Sequence, residues 1–331
     1  MVLAPPSPPA PPKSPPGHRT ETARVMKRKR RRPRLRWWVY LVLLPTFALF
    51  GFMSYYPALS GIWHSFYDWQ PGFHSTFTGL QNYRDLWHDS LWWQSFRNLG
   101  VIFIATITVM WIFPILAAEL IITLKSERAR FIFRTLLIIP LAFPAVVTAL
   151  IWSFLYNPND GLINHFLGSI GLSSWEQNWV GNPHTALGSL LAIGFPWIAG
   201  LPFLIFLSTL QNIPSELMEA AALDGAGRFR RFLAIDLPLM AQQIRLLFFL
   251  AFVTVLQYGF AAYLVTSGGP DNSTTVPALR MIGVAFQAQR WGYAAAMATT
   301  LFAIAILGSV VILVLGGLRG RRDPHADAKD L

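Results

Sequence analysis

The residues of this chain best placed to do chemistry lie in one polar stretch between two long apolar ones, Glu219-Ala-Ala-Ala-Leu-Asp-Gly225-Ala-Gly-Arg-Phe-Arg-Arg-Phe-Leu-Ala-Ile235-Asp-Leu237-Pro238. The chemistry these residues suit is recognition, not bond making. Pro214 fits the first turn of a helix, where its missing N–H is no loss, and Glu216 and Glu219 sit where the helix dipole favours negative charge. Ala220, Ala221 and Ala222 combine strong helix propensity with almost no bulk, so another protein surface could approach the backbone closely. Gly225 predicts a left-handed stop to this short helix. Arg228, Arg230 and Arg231 then open a second, basic helix, and Pro238 marks the turn into the next apolar segment. A loop helix lying on lipid headgroups would use the same residue types, and spacing alone leaves both readings open.

Elsewhere reactive groups are scarce, and no catalytic residue is expected. Within the apolar segments Glu119 is the one ionisable residue. It sits about one turn from a segment end and close to Lys125, which predicts snorkelling to the interface and gives no support to a proton relay. The absence of cysteine excludes disulfides, thiolate metal sites and a cysteine nucleophile. All seven histidines fall outside the apolar segments; His64, His74 and His88 share one loop without a metal-ligand spacing, so no metal site is expected. No G-x-x-x-x-G-K-[ST] loop occurs, and Gly225-Ala-Gly227 lacks both the third glycine and the preceding strand of a dinucleotide fingerprint. Any energy for active transport must therefore come through another polypeptide.

The elements that position these residues are membrane helices. A chain of 331 residues with 53% hydrophobic and 13% charged residues and a mean hydropathy of +0.42 is too apolar for an ordinary soluble protein. Six segments reach the roughly 20 apolar residues that cross a bilayer: Trp37 to Tyr56, Leu99 to Thr123, Thr135 to Tyr156, Ala186 to Leu210, Leu246 to Thr266 and Tyr293 to Leu315. The fold class is thus all-α, an integral membrane bundle of six transmembrane helices. The formal net charge of +11 would suit nucleic acid, but its placement argues for topology. With a cytoplasmic N-terminus, 23 of the 27 Lys and Arg fall in internal segments and 4 outside, which predicts that both termini are cytoplasmic.

Along the chain, residues 1–36 read as a disordered tail, with eight prolines in the first 17 residues and then a polybasic run that anchors topology at the membrane lipid. Residues 37–94 hold the first helix, retained and not cleaved, and most of an external loop in which Trp63, Trp69, Trp87, Trp92 and Trp93 predict an interfacial aromatic belt. Residues 95–315 form the core, with the polar loop at 212–238, and 316–331 a second cytoplasmic tail. Pro140 and Pro144 in the third segment, and Gly194, Pro196, Gly200 and Pro202 in the fourth, predict broken helices packed inside the bundle.

The spacing Glu219-Ala220-Ala221, three residues, Gly225, nine residues, Ile235, one residue, Leu237-Pro238 resembles the coupling loop of permease subunits in bacterial ATP-binding-cassette importers. Further stretches are similar to the carbohydrate branch of that family, of the maltose-transporter type. They are Ser95-Phe-Arg-Asn98, Pro140 and Pro144, Ala149-Leu-Ile-Trp152-Ser-Phe-Leu-Tyr156-Asn-Pro158, Gly161-Leu-Ile-Asn164, Asn212-Ile-Pro214 and Thr266-Ser-Gly-Gly-Pro270. The resemblance implies a type I importer permease in the bacterial plasma membrane. Its ATPase-coupling residues would be Glu219, Ala220, Ala221, Asp224, Gly225, Ile235, Leu237 and Pro238. It implies a heterodimeric partner permease, a dimer of ATPase subunits that bind ATP and Mg, and an extracytoplasmic solute-binding protein, with no cofactor in this chain and no nucleic acid.

Sugars are held by aromatic stacking and neutral hydrogen-bonding groups, so Trp152, Tyr156, Trp197, Gln257 and Tyr258 are the expected pathway residues. Glycerol phosphate or another polar solute is the alternative cargo, and a non-transporting membrane scaffold the alternative from a different class.

Overall fold

The computed structural model describes residues 37–198 and 200–320, with side chains between 41 and 315. The tail expected over 1–36 and the side chains of 316–331 lie outside that range. The chain divides into two compact units at Met53 and Ser54. In the first, helix α1 (Trp37–Phe50) carries Pro45 inside it and leads into a π-turn, Gly51–Tyr55. Its side chains from Leu41 to Phe50 are exposed and almost wholly apolar, the pattern of a lipid-facing helix.

The second unit begins with α2 (Tyr56–His64) and a small antiparallel ribbon, β1 (Tyr67–Asp68) and β2 (Thr76–Phe77), with Tyr67 opposite Phe77. Helices α3 (Gln81–His88), α4 (Ser90–Ile107) and α5 (Val109–Thr123) follow. Next come α6 (Glu127–Ile138), α7 (Ala145–Leu155), α8 (Leu162–Ser169), α9 (Ala186–Ala192) and α10 (Leu201–Gln211). The polar loop forms α11 (Ser215–Leu223), α12 (Arg228–Arg231), a π-turn over Phe232–Asp236, and α13 (Leu237–Leu239). Helices α14 (Ala241–Leu256), α15 (Phe260–Thr266), α16 (Pro277–Ile282) and α17 (Trp291–Gly320) complete the unit.

Among the described residues three helical runs are long and apolar enough to cross a membrane: Leu41–His64, Ser90–Thr123 and Trp291–Leu315. Two further pairs are bent, Glu127–Ala142 with Ala145–Leu155 by 91° and Arg228–Leu239 with Ala241–Leu256 by 64°. This gives up to five spans by length and composition, not six continuous helices. The difference lies where the backbone is broken. The segment 186–210 is two short helices, separated where Gly194 takes φ +82° and Gly200 φ +151°. The segment 246–266 stops at Leu256 and restarts at Phe260. Proline and glycine in the third and fourth segments do break them, as their types predict: the 91° bend falls at Phe143 and Pro144.

The core forms where small residues let aromatic ones approach. Ala117, Ala118 and Ile121 of α5 pack with Phe203, Phe206 and Leu210 of α10, and Met240 and Leu247 close the same cluster. A second cluster joins Leu99 and Ile102 of α4 to Val255, Ala262, Val276 and Leu279. A third, around Leu86, Tyr293 and Met297, includes Trp92, which is 2% exposed and edge-on to Phe96. Trp92 is therefore a core residue and not part of an interfacial belt. Trp63, Trp87 and Trp93 do face outward.

The Ser90–Thr123 run of 34 residues would be about 50 Å long, against roughly 30 Å of hydrocarbon, and its polar residues gather in the N-terminal turns. There Asp89 caps α4, accepting the N–H groups of Leu91 at 2.9 Å and Trp92 at 3.2 Å. It also accepts from Tyr293 Oη at 2.9 Å and Arg280 at 3.2 Å. Burial opposes the charge on Asp89, but these hydrogen bonds and the Arg280 charge outweigh it and hold the carboxyl below its ordinary range.

Candidate functional site

The polar loop folds as its residue types dictate. Pro214 occupies the N-cap of α11, one position earlier than the first turn, and Glu216 lies in that first turn. At the other end Gly225 adopts φ +70°. Ala226 N–H donates to Ala221 O at 2.9 Å, and Gly225 N–H to Ala222 O at 3.1 Å. This crossed pair is a Schellman turn, with Gly225 at the position that tolerates a left-handed backbone without a Cβ penalty. A Cβ added at Gly225 would meet no atom within 4 Å, so the glycine serves backbone geometry and not packing.

Helix α11 buries only Ala221. Glu219, Ala220 and Asp224 are exposed along with Gly225 and Pro238, whereas Ile235 and Leu237 are half-buried. The loop thus separates into a presenting part, α11 and its cap, and a rooted part, Ile235 to Met240, where Met240 is fully buried. Two exposed residues extend the presented face beyond the motif: Leu223 at 90% and Phe229 at 74%. Leu223 and Phe229 are thus the large apolar side chains that this segment leaves most exposed. Their signal in the sequence is an apolar residue inside an otherwise charged and small-residue run.

The rooted part holds a charged group that spacing alone does not disclose. Arg231 Nε lies 3.2 Å from Asp236 Oδ2, and Arg231 Nη2 lies 3.4 Å from Glu119 Oε2. Glu119 is therefore paired across 112 residues and only 16% exposed, in place of the snorkelling toward Lys125 expected of it. The reason is that the α12 turn brings a guanidinium to the C-terminal end of α5, which satisfies the carboxylate without its reaching water.

Of the pathway candidates, Trp152 and Tyr156 come together, with ring centres 5.5 Å apart. Tyr156 is buried and donates its hydroxyl to Ser189 O at 2.8 Å, tying the end of α7 to α9. Trp152 borders two neighbouring clefts of about 460 and 480 Å³, the second also lined by Tyr156, Trp179, His184 and Ser189. That size suits a small ligand. Trp197 does not itself line either cleft but stands behind Phe195, which lines both: its indole donates to Leu191 O and Ile193 O, and its ring packs edge-on against Phe113 and Phe195. Gln257 and Tyr258 lie at the break between α14 and α15 and line neither cleft. Trp179 and His184 escape sequence reasoning because they sit in a loop outside every apolar segment. Among the described residues no group of three His, Asp or Glu could hold a metal ion.

With this geometry in place, comparison with known proteins is informative. Residues 115–325 match the family described as binding-protein-dependent transport system inner membrane component. The probable ABC transporter permease protein YurN of Bacillus subtilis is 33% identical over 279 residues, covering 82% of this chain and 93% of that protein. The sn-glycerol-3-phosphate transport system permease protein UgpA of Salmonella typhimurium is 34% identical over 84% of this chain and 93% of its own. The diacetylchitobiose uptake system permease protein NgcF of Streptomyces coelicolor is 28% identical over 85% and 83%. In structure, the chain superposes with a TM-score of 0.73 on a bacterial ABC transporter involved in the import of the acidic polysaccharide alginate. That match covers 87% of this chain and 96% of the other at 23% identity, a likeness of fold.

Proposed function

The chain belongs to the binding-protein-dependent transport system inner membrane components, and from that membership we propose that it forms half of the translocation pathway of an ATP-driven sugar importer. It is a membrane-embedded permease subunit of an ABC transporter and not an enzyme. The observation that carries the coupling mechanism is α11: a short helix with one buried residue, closed by a Schellman turn, presenting Ala220 and Leu223 outward. Such a helix suits a groove on an ATPase subunit, with Glu219 and Asp224 as polar contacts and Ile235, Leu237 and Pro238 rooting the segment in the bundle. ATP and Mg are bound by that ATPase dimer. A second permease completes the pathway, and an extracytoplasmic binding protein delivers the solute. Both termini and residues 212–238 face the cytoplasm, a reading supported by the 23 to 4 distribution of basic residues.

A neutral sugar is favoured by the clefts around Trp152, whose linings offer aromatic faces and hydroxyls but no Lys or Arg. The name of the UgpA relative favours a second reading, a glycerol phosphate; a phosphate ester calls for guanidinium or ammonium partners, which these clefts lack. Proteoliposomes holding the chain with its co-encoded permease, ATPase and binding protein distinguish the cargoes. Radiolabelled diacetylchitobiose, maltose and sn-glycerol 3-phosphate are offered in turn, each with ATP inside. ATP-dependent accumulation of a disaccharide supports the sugar reading, and accumulation of glycerol phosphate alone replaces it. Hydrolysis of ATP by this polypeptide purified alone would refute the transport-subunit arrangement.

A further inference from the structure

The charged group at the inner end of the second span has an arrangement that docking by itself does not require. One guanidinium, Arg231, stands between two carboxylates on different elements: Asp236 in the turn between α12 and α13, and Glu119 on α5. Asp236 has no exposed surface. Its Oδ1 and Glu119 Oε1 are both buried without a hydrogen-bond partner. Arg231 is itself only 23% exposed.

Two carboxyl groups face one guanidinium in a site largely removed from water, and the negative charge they carry is best held while Arg231 stays between them. The contacts of 3.2 and 3.4 Å exceed the roughly 2.7–2.9 Å of a tight charge-assisted hydrogen bond, so the cation is shared and not committed to one partner. A planar fork of five N–H donors can serve both carboxylates at once, which an ammonium cannot do in fixed geometry. The two segments it joins differ in anchorage. Helix α5 is anchored by Ala117, Ala118 and Ile121, whereas α12, which carries Arg231, buries none of its residues and α11 before it buries one. Any displacement of α11 and α12 that carried Arg231 away from Glu119 would leave an unpaired, half-buried carboxylate, so the low-energy response is for α5 to follow.

We propose that Glu119, Arg231 and Asp236 form a charge latch that transmits movement of the docking helix into the second membrane span. Arg231 and Glu119 are then positioning residues for ATP-driven transport. The proposal rests on residues 212–238 being the ATPase-docking segment. Asp236 roots Arg231 to its own segment, and Glu119 is the handle on the span.

The test uses the full complex with spin labels on Leu116→Cys of α5 and Arg228→Cys of α12, both exposed positions in a cysteine-free chain. The inter-label separation is measured without nucleotide and with vanadate-trapped ATP. Latched segments move together, so the wild-type separation should stay constant. In Glu119→Gln, which leaves Arg231 and Asp236 paired one to one, it should change by about 2 Å or more on trapping, the size of an ordinary helix shift. Uptake should fall about tenfold while the amount of co-purified ATPase is retained. Arg231→Lys, which keeps the charge but loses the fork, should behave as Glu119→Gln does. If both variants track the wild-type separation, the latch is overturned. It is also overturned if both fail to accumulate in the membrane, since the group is then a folding element. Failure of the docking reading looks different: no ATPase would co-purify even with the wild-type chain.

Discussion

Asn98, in the middle of α4, donates its side-chain amide to Thr275 O at 2.8 Å, joining residues 177 positions apart in the sequence. The same amide reaches Asn272 O at 3.2 Å. Next to this junction the Thr266-to-Pro270 stretch folds on itself, Thr266 and Thr274 hydroxyls lying 2.7 Å apart and Gly268 too close to Thr275 Oγ1 for any Cβ. Two stretches singled out for their family resemblance are thus neighbours at one junction. Replacing Asn98 with Ala leaves the Thr275 carbonyl without its donor, while Asn272 O keeps the Thr275 N–H, at a cost of about 1–3 kcal/mol. The thermal midpoint of the solubilised protein should fall by several degrees, with the helical circular dichroism spectrum unchanged below the transition.

Gly225 is required by backbone geometry alone. Gly225→Val should cost about 1–2 kcal/mol through its left-handed φ, with no steric clash added. Membrane levels should be normal, while ATPase co-purification and uptake are lost. Gly225→Asn, whose side chain tolerates that conformation, should retain a large share of both. Equal loss in the two variants would show that the glycine is needed for something other than its φ.

Leu223 touches little in this chain. Leu223→Asp should change stability by less than about 0.5 kcal/mol, the usual range for an exposed site. Binding of the ATPase should nonetheless drop at least tenfold in a pull-down from detergent. Full binding by the variant would mean that α11 presents a different face to its partner.

Orientation can be read by single cysteines placed at exposed Ser126, Ser173, Arg228 and Asp271. In intact cells an impermeant maleimide should label Ser173→Cys and Asp271→Cys, and should reach the other two only after permeabilisation. Labelling of Arg228→Cys from outside would invert the topology.

Acid should loosen the outer network. Because the Asp89 carboxyl titrates below its ordinary value of 3.8, the stability it adds is complete above that pH and is lost as pH falls through the lower folded value. Thermal midpoints measured as pH falls below 3.8 should show this loss in the wild type and not in Asp89→Asn.

What the sequence by itself determined about this protein is what acts within a few residues. The Schellman stop at Gly225 follows from a glycine after three alanines, the bend at Phe143 and Pro144 from a residue without an N–H, and the lack of a nucleotide loop from the absence of its pattern. The first part of the polar loop was therefore legible as a helix-forming, outward-facing segment at Glu219, Ala220, Asp224 and Gly225, whereas the burial of Ala221 and the half-burial of Ile235 and Leu237 were not. Only the tertiary structure decided which carboxylate Arg231 meets, that Trp92 belongs to a core, and that Trp152 and Tyr156 border a cleft while Trp197, Gln257 and Tyr258 line none of the neighbouring space. It also decided that the segment 246–266 is interrupted between Leu256 and Phe260, since an apolar run without proline records its preference for lipid but not where its backbone bends. Propensity, capping and proline chemistry are settled over one turn of chain; the pairing of Glu119 with Arg231 depends on where two distant helices end, and that is set by the packing of every element between them.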